Sequence, residues 1–90
     1  MTVTVRIPTP LRNVTGGVDK VSVQGNILRE IIASLEAQFP GIKGRLCDEE
    51  GELRNFVNVY INGEDVRFLE GLSTSTNEGD EISIVPAVAG

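Results

Sequence analysis

Apolar and polar residues alternate from the start of the chain: Val3, Val5 and Ile7 are separated by Thr4 and Arg6. A period of two marks a strand with one buried face, so a first strand is expected over residues 2–7, ended by Pro8 and Pro10. A loop carrying Asn13, Gly16 and Gly17 leads to a second alternating run, Val18 to Val23, and the two strands should form a hairpin with a long loop. The period then changes. Gly25-Asn26 offers a helix N-cap, and Ile27, Leu28, Ile31, Ile32, Leu35 and Phe39 follow at helical spacing until Pro40-Gly41 stops the pattern. This stripe is what a helix packed on a sheet must present, so it reads as core.

Residues 41–55 show no apolar period and are expected to be a surface connection with at most a short helical turn. Phe56 to Ile61 is the most strand-like segment, and Asn62-Gly63 is the strongest signal for a two-residue type I′ hairpin. The return strand is expected over Glu64 to Phe68, with Ile61 facing Glu64, Val59 facing Val66 and Val57 facing Phe68. That register assigns Val57, Val59, Val66 and Phe68 to the core and puts Asn58, Tyr60, Asp65 and Arg67 on the other face. A last strand, Glu81 to Val85, follows Gly79-Asp80 and is expected to be cut off by Pro86. The order β-β-α-β-β-β describes an α+β domain, one helix on one face of a mixed sheet, compatible with a β-grasp. The expected division is a folded domain over 1–86 and a flexible tail over 87–90.

Ninety residues leave no room for a second core or a cleft between domains. There is no histidine, which removes the commonest general base and histidine-ligated metals. The single Cys47 cannot close an intramolecular disulfide or build a zinc site, and a reducing compartment fits it best. Net charge is -5, and the segment after Arg67 contains four acids and no base. Nucleic acid and anionic membrane are therefore unsuitable partners, whereas a basic protein suits the charge. The N-terminus carries no leader pattern and no run approaches the ~20 apolar residues of a membrane span, which points to the cytoplasm.

Cys47 stands beside Asp48, Glu49 and Glu50, whose negative field should raise the thiol pKa, so a structural cysteine is the favoured reading. The run from Asp48 to Glu52 lacks the ligand spacing of a calcium loop and reads as a solvated acidic turn. Neither Gly16-Gly17 nor Gly41-x-x-Gly44 matches a phosphate loop. The end differs: Ala87, Val88, Ala89 and Gly90 are small and uncharged just after the last strand. A terminal carboxylate there can be delivered to another protein, because glycine has no Cβ to obstruct a narrow active site. A frayed terminus is the competing reading.

The ordered set resembles the MoaD/ThiS family of sulfur carrier proteins, prokaryotic relatives of ubiquitin. It comprises the opening Val3-Thr4-Val5-Arg6-Ile7-Pro8 with Leu11-Arg12, Leu35-Glu36 and Pro40-Gly41, the hairpin Val57 to Gly63, Gly79-Asp80-Glu81-Ile82, and the ending Pro86-Ala87-Val88-Ala89-Gly90. The resemblance covers the whole chain and is strongest, in the hairpin and the ending, to the branch that delivers sulfur for cysteine synthesis. It implies a carrier that is a substrate and not a catalyst, binding no cofactor or metal itself. An E1-like enzyme would use ATP and magnesium to adenylate the terminal glycine. A sulfur donor would then displace AMP, and the thiocarboxylate would pass sulfide to an acceptor such as a PLP-dependent cysteine synthase. The docking surface it implies is the sheet face away from the helix and the start of the tail: Pro8, Tyr60, Asp65, Arg67, Val85 and Pro86. The family ends in a glycine pair, so a further glycine is expected after Gly90. The molybdopterin synthase small subunit shares fold and tail and stays open as an alternative, as does a β-grasp interaction module or protein modifier.

Overall fold

The computed structural model describes residues 2–86; the expected tail, residues 87–90, lies outside the described residues. Strands β1 (Thr2–Arg6) and β2 (Lys20–Gln24) form the opening hairpin. Helices α1 (Leu28–Gln38) and α2 (Ile42–Leu46) follow. Strands β3 (Val57–Ile61), β4 (Glu64–Asp65) and β5 (Glu81–Pro86) complete a sheet of order β2-β1-β5-β3-β4. β1 and β5 run parallel at its centre and every other pairing is antiparallel. This is the expected mixed sheet with one main helix on a single face.

Alternation divides the sheet cleanly. Val3, Val5, Val21, Val23, Val57, Val59, Ile61, Ile82 and Ile84 are buried, and they face Leu28, Ile31, Ile32 and Leu35 of α1. Thr4, Arg6, Ser22, Asn58, Tyr60, Ser83 and Val85 occupy the alternate positions, on the opposite face. The hairpin turn has the type I′ signature, with positive φ at both Asn62 (51°) and Gly63 (89°). Asn62 is also held from outside the hairpin, its side chain donating to Asp80 Oδ1 at 2.9 Å and accepting from the Glu81 N–H at 3.0 Å.

Several boundaries differ from expectation. β2 starts at Lys20 and not Val18, because the Thr15 hydroxyl donates to the Val18 carbonyl at 2.8 Å and holds it in the loop. Gly25-Asn26 does not cap α1. The cap position is Ile27, with no side-chain cap, and the Leu28 N–H donates to the Thr74 carbonyl at 3.0 Å. A distant segment, pinned by an Ile27–Ser75 bridge, satisfies the helix start in place of a local side chain. Pro86 ends β5 as a member, opposite Val57, and does not cut it short.

The segment after Pro40 departs most. Within the expected surface connection lies α2, whose Ile42 and Leu46 are fully buried at helical spacing i, i+4. The Glu36 carboxylate holds its start, accepting from the Gly41 N–H at 3.0 Å and the Lys43 N–H at 2.9 Å. The hydrogen bonds from Gly41 and then Lys43 favour the charged form and lower the Glu36 pKa from its ordinary 4.5. A depressed carboxyl contributes stability that is complete above the unfolded-state pKa and lost as pH falls through the folded-state value. Wild type is therefore expected to melt above Glu36→Gln at pH 7, with the gap closing as pH drops below 4.5. Calorimetric melting of both proteins across that range checks it, and a gap independent of pH refutes the latch.

The return strand is also shorter than expected. β4 has two residues, paired Tyr60↔Asp65 and Ile61↔Glu64, and the chain then turns into a 3₁₀ helix, Val66–Phe68. Asp65 Oδ1 accepts the Arg67 N–H at 2.9 Å and so caps this turn, withdrawing the next residues from the ladder. Val66 still enters the core, but Phe68, expected opposite Val57, is 88% exposed. A 3₁₀ turn has three residues per turn, so residues two apart no longer share a face.

Candidate functional site

The outer sheet face holds most of the residues expected to dock a partner. Val85 pairs with Asn58, and Tyr60 lies between Ser83 and Asp65. Val85 is 46% exposed, whereas Ile84 beside it is 5% exposed. The parallel pairing of β1 with β5 ends at Arg6↔Ser83, two residues before Pro8 on one strand and Val85 on the other. Pro8, Tyr60, Asp65 and Pro86 are half-buried. Arg67 reaches this face by a route that strand alternation did not indicate. From the 3₁₀ turn its guanidinium donates to Asn58 Oδ1 and to the Arg54 carbonyl, each at 2.7 Å. It thereby ties the hairpin's end to β3 and to the approach to β3, beside the strand that leads to the tail.

β5 carries the chain to Pro86, its last described residue. Its pairing with β3 runs from Ile61↔Ile82 to Val57↔Pro86, and Phe56, half-exposed, immediately precedes that last pair. The expected tail residues Ala87, Val88, Ala89 and Gly90 fall outside the described residues. Pro86 is thus the last described point of a face that combines polar side chains, an exposed Val85, the anchored Arg67 guanidinium and, further along, the Arg6–Glu81 ion pair at 3.2 Å. Such a face can dock a protein, since around Val85 it offers exposed apolar surface beside Asn58 and Tyr60, with the charged side chains at its margins.

Cys47 is not on the surface. It follows α2, bridges to Leu53 and is 3% exposed. Its thiol pKa is raised, as the acidic neighbours led us to expect, but burial is the main cause and Asp48 and Glu52 add less. Asp48 turns its carboxylate back on its own loop, Oδ1 accepting from the Glu50 and Glu52 N–H groups at 2.9 and 3.1 Å. Cys47→Ser is expected to cost about 1–3 kcal/mol, because a buried hydroxyl loses water that a thiol hardly misses. It should leave formation of a C-terminal thiocarboxylate unchanged in the folded fraction. Urea unfolding and intact-mass measurement together check both halves; a folded variant that loses the thiocarboxylate would place the sulfur chemistry on Cys47.

The missed surface residue is Phe68, and the available signal was Asp65 two positions before Arg67, a side chain able to cap a turn. Comparison with known proteins gives this geometry its context. The model of the ThiS family matches residues 5–90. The sulfur carrier protein CysO of Mycobacterium tuberculosis is 52% identical over 92 aligned positions, covering 100% of this chain and 99% of the relative. The crystal structure of the Amycolatopsis orientalis BexX/CysO complex contains a chain with TM-score 0.93 and 51% identity, with 98% of each chain covered. Small archaeal modifier protein 3 of Haloferax volcanii is 44% identical over 73 positions, 81% of this chain and 74% of the relative. With a matching family model over nearly its whole length and a five-stranded mixed sheet of β-grasp order, the chain belongs to the ThiS family of sulfur carriers.

Proposed function

We propose that this carrier is loaded at its C-terminal glycine by an E1-like enzyme and delivers sulfide for cysteine biosynthesis in the cytoplasm. The observation that carries the reading is the full-length similarity to CysO, joined to a fold that ends its last strand on an exposed face. A carboxylate is a poor electrophile at neutral pH. Its oxygen attacks the α-phosphorus of magnesium-bound ATP on the partner, expelling pyrophosphate and leaving an acyl adenylate. A hydrosulfide-level donor then attacks the acyl carbon, AMP departs, and the carrier holds a thiocarboxylate. The acceptor, a PLP-dependent cysteine synthase in this reading, receives the sulfur, and hydrolysis restores the carboxylate.

The carrier's own contribution is presentation. Val85, Asn58, Tyr60 and Arg67 dock the partner while the small residues after Pro86 enter its active site, with glycine offering the least hindered acyl carbon. The absence of histidine is compatible with this role, since no proton transfer is asked of the domain. The test is intact mass after incubation with an E1-like enzyme, ATP, magnesium and sulfide. Replacement of one oxygen by sulfur at the C-terminus supports the proposal, and an unchanged mass beside an enzyme that loads another carrier refutes it. Sulfide transfer to a cysteine synthase against transfer to a molybdopterin synthase large subunit separates the two acceptor pathways. Similarity to a small archaeal modifier favours a second reading, covalent attachment to lysine, which would show instead as conjugates of higher mass.

A further inference from the structure

Phe68 is the most exposed large apolar side chain among the described residues, and the fold holds it there. Asp65 caps the 3₁₀ turn, the Leu69 N–H closes it on the Val66 carbonyl at 3.0 Å, and Val66 is buried beneath it. Arg67, between them, is fixed by Asn58 and the Arg54 carbonyl. The phenyl ring therefore projects from a platform anchored on both sides and cannot reach the core without dismantling these contacts. Leu69 beside it is also exposed.

The same contacts tie the turn that carries the ring to β3, the neighbour of β5. Val85 pairs with Asn58, Asn58 accepts from Arg67, and Phe68 is the next residue. A protein that receives the chain end past Pro86 and covers Val85 meets the turn one strand further on. The charge along the turn describes the matching surface: residues 64–70 hold three carboxylates, Glu64, Asp65 and Glu70, against Arg67, with Arg54 brought alongside through its carbonyl. We propose that Phe68 is the anchoring residue for the enzyme that receives the tail, entering an apolar pocket of that enzyme rimmed by lysine or arginine. The inference rests on the carrier reading above and adds to it a specific contact outside the tail. An aromatic side chain on a rigid turn loses little freedom on burial, and such residues dominate the energetics of protein interfaces. The carboxylates around it steer a basic rim into place and exclude acidic surfaces.

The experiment uses the full chain with an E1-like activating enzyme. Phe68→Ala is expected to raise the KM for the carrier in ATP–pyrophosphate exchange by about tenfold or more, while the melting temperature stays that of wild type. Glu64→Lys with Glu70→Lys should also raise KM and weaken its dependence on salt. Calorimetric binding to the same enzyme without ATP, and to BexX, reads the contact when no adenylation occurs, so failure of the loading chemistry is distinguished from failure of the contact. A Phe68→Ala carrier that keeps wild-type KM and affinity overturns the proposal. So does a wild-type chain that binds neither the activating enzyme nor BexX, or a Phe68→Ala chain whose lost binding follows from unfolding.

Discussion

Ile84→Asp is expected to unfold the domain, and Val85→Asp, one residue further on, to leave it folded while weakening its docking. Ile84 is 5% exposed and lies opposite Val59 in the central pairing, so an aspartate there places a carboxylate in an aliphatic core with no partner. The cost is about 4 kcal/mol or more, a large share of the ~5–15 kcal/mol by which domains of this kind are stable. Val85 faces outward at 46% exposure, and its replacement should change the melting temperature by only a few degrees. Its effect should appear on complex formation, where the new carboxylate must be desolvated against the partner. The measurement is thermal unfolding of both variants beside their rates of adenylation by an E1-like enzyme. Equal unfolding by both would mean the face assignment is wrong, and a Val85→Asp carrier loaded at the wild-type rate would move the docking surface elsewhere.

Leu46→Ala tests the part of the molecule least visible in its sequence, and it should destabilise the domain by about 2–5 kcal/mol. Leu46 is completely buried at the end of α2, in the same cluster as Leu35 and Ile42. Removing its isobutyl group loses the transfer free energy and leaves a void that a small core, close-packed around it, closes only in part. A surface connection would predict a change within about 0.5 kcal/mol, so the two descriptions differ several-fold in one number. Chemical denaturation of the variant decides between them. A loss below 1 kcal/mol would show that α2 is peripheral to the core.

Much of the architecture follows from the sequence because its determinants are local. Val3, Val5 and Ile7 alternate with polar residues, the stripe from Leu28 to Leu35 repeats at helical spacing, and Asn62-Gly63 supplies the two positive φ angles of its turn. These patterns fix strands, helix and hairpin whatever surrounds them, and strand parity puts Val85 outside and Ile84 inside. The ordered motifs also led to the family, and the sequence comparison agrees.

The rest required the tertiary structure. Ile42 and Leu46 are only two apolar positions among glycine and charge, too few to set a period, and become core because Glu36 ties the start of α2 to α1. Cys47 is buried at the end of α2, where it bridges to Leu53, so burial outweighs the acidic neighbours that its sequence displays. The start of α1 is satisfied by the Thr74 carbonyl, forty-six positions away in sequence, which no local capping rule could reveal. At the hairpin's end, alternation competes with a side-chain cap. Asp65 wins by taking the Arg67 N–H, the strand stops after two residues, and Phe68 is turned out to solvent. Local periodicity determines which elements form. Hydrogen bonds that periodicity does not show, short-range at Asp65 and long-range at Thr74, decide where those elements end, and at the hairpin that end exposes Phe68.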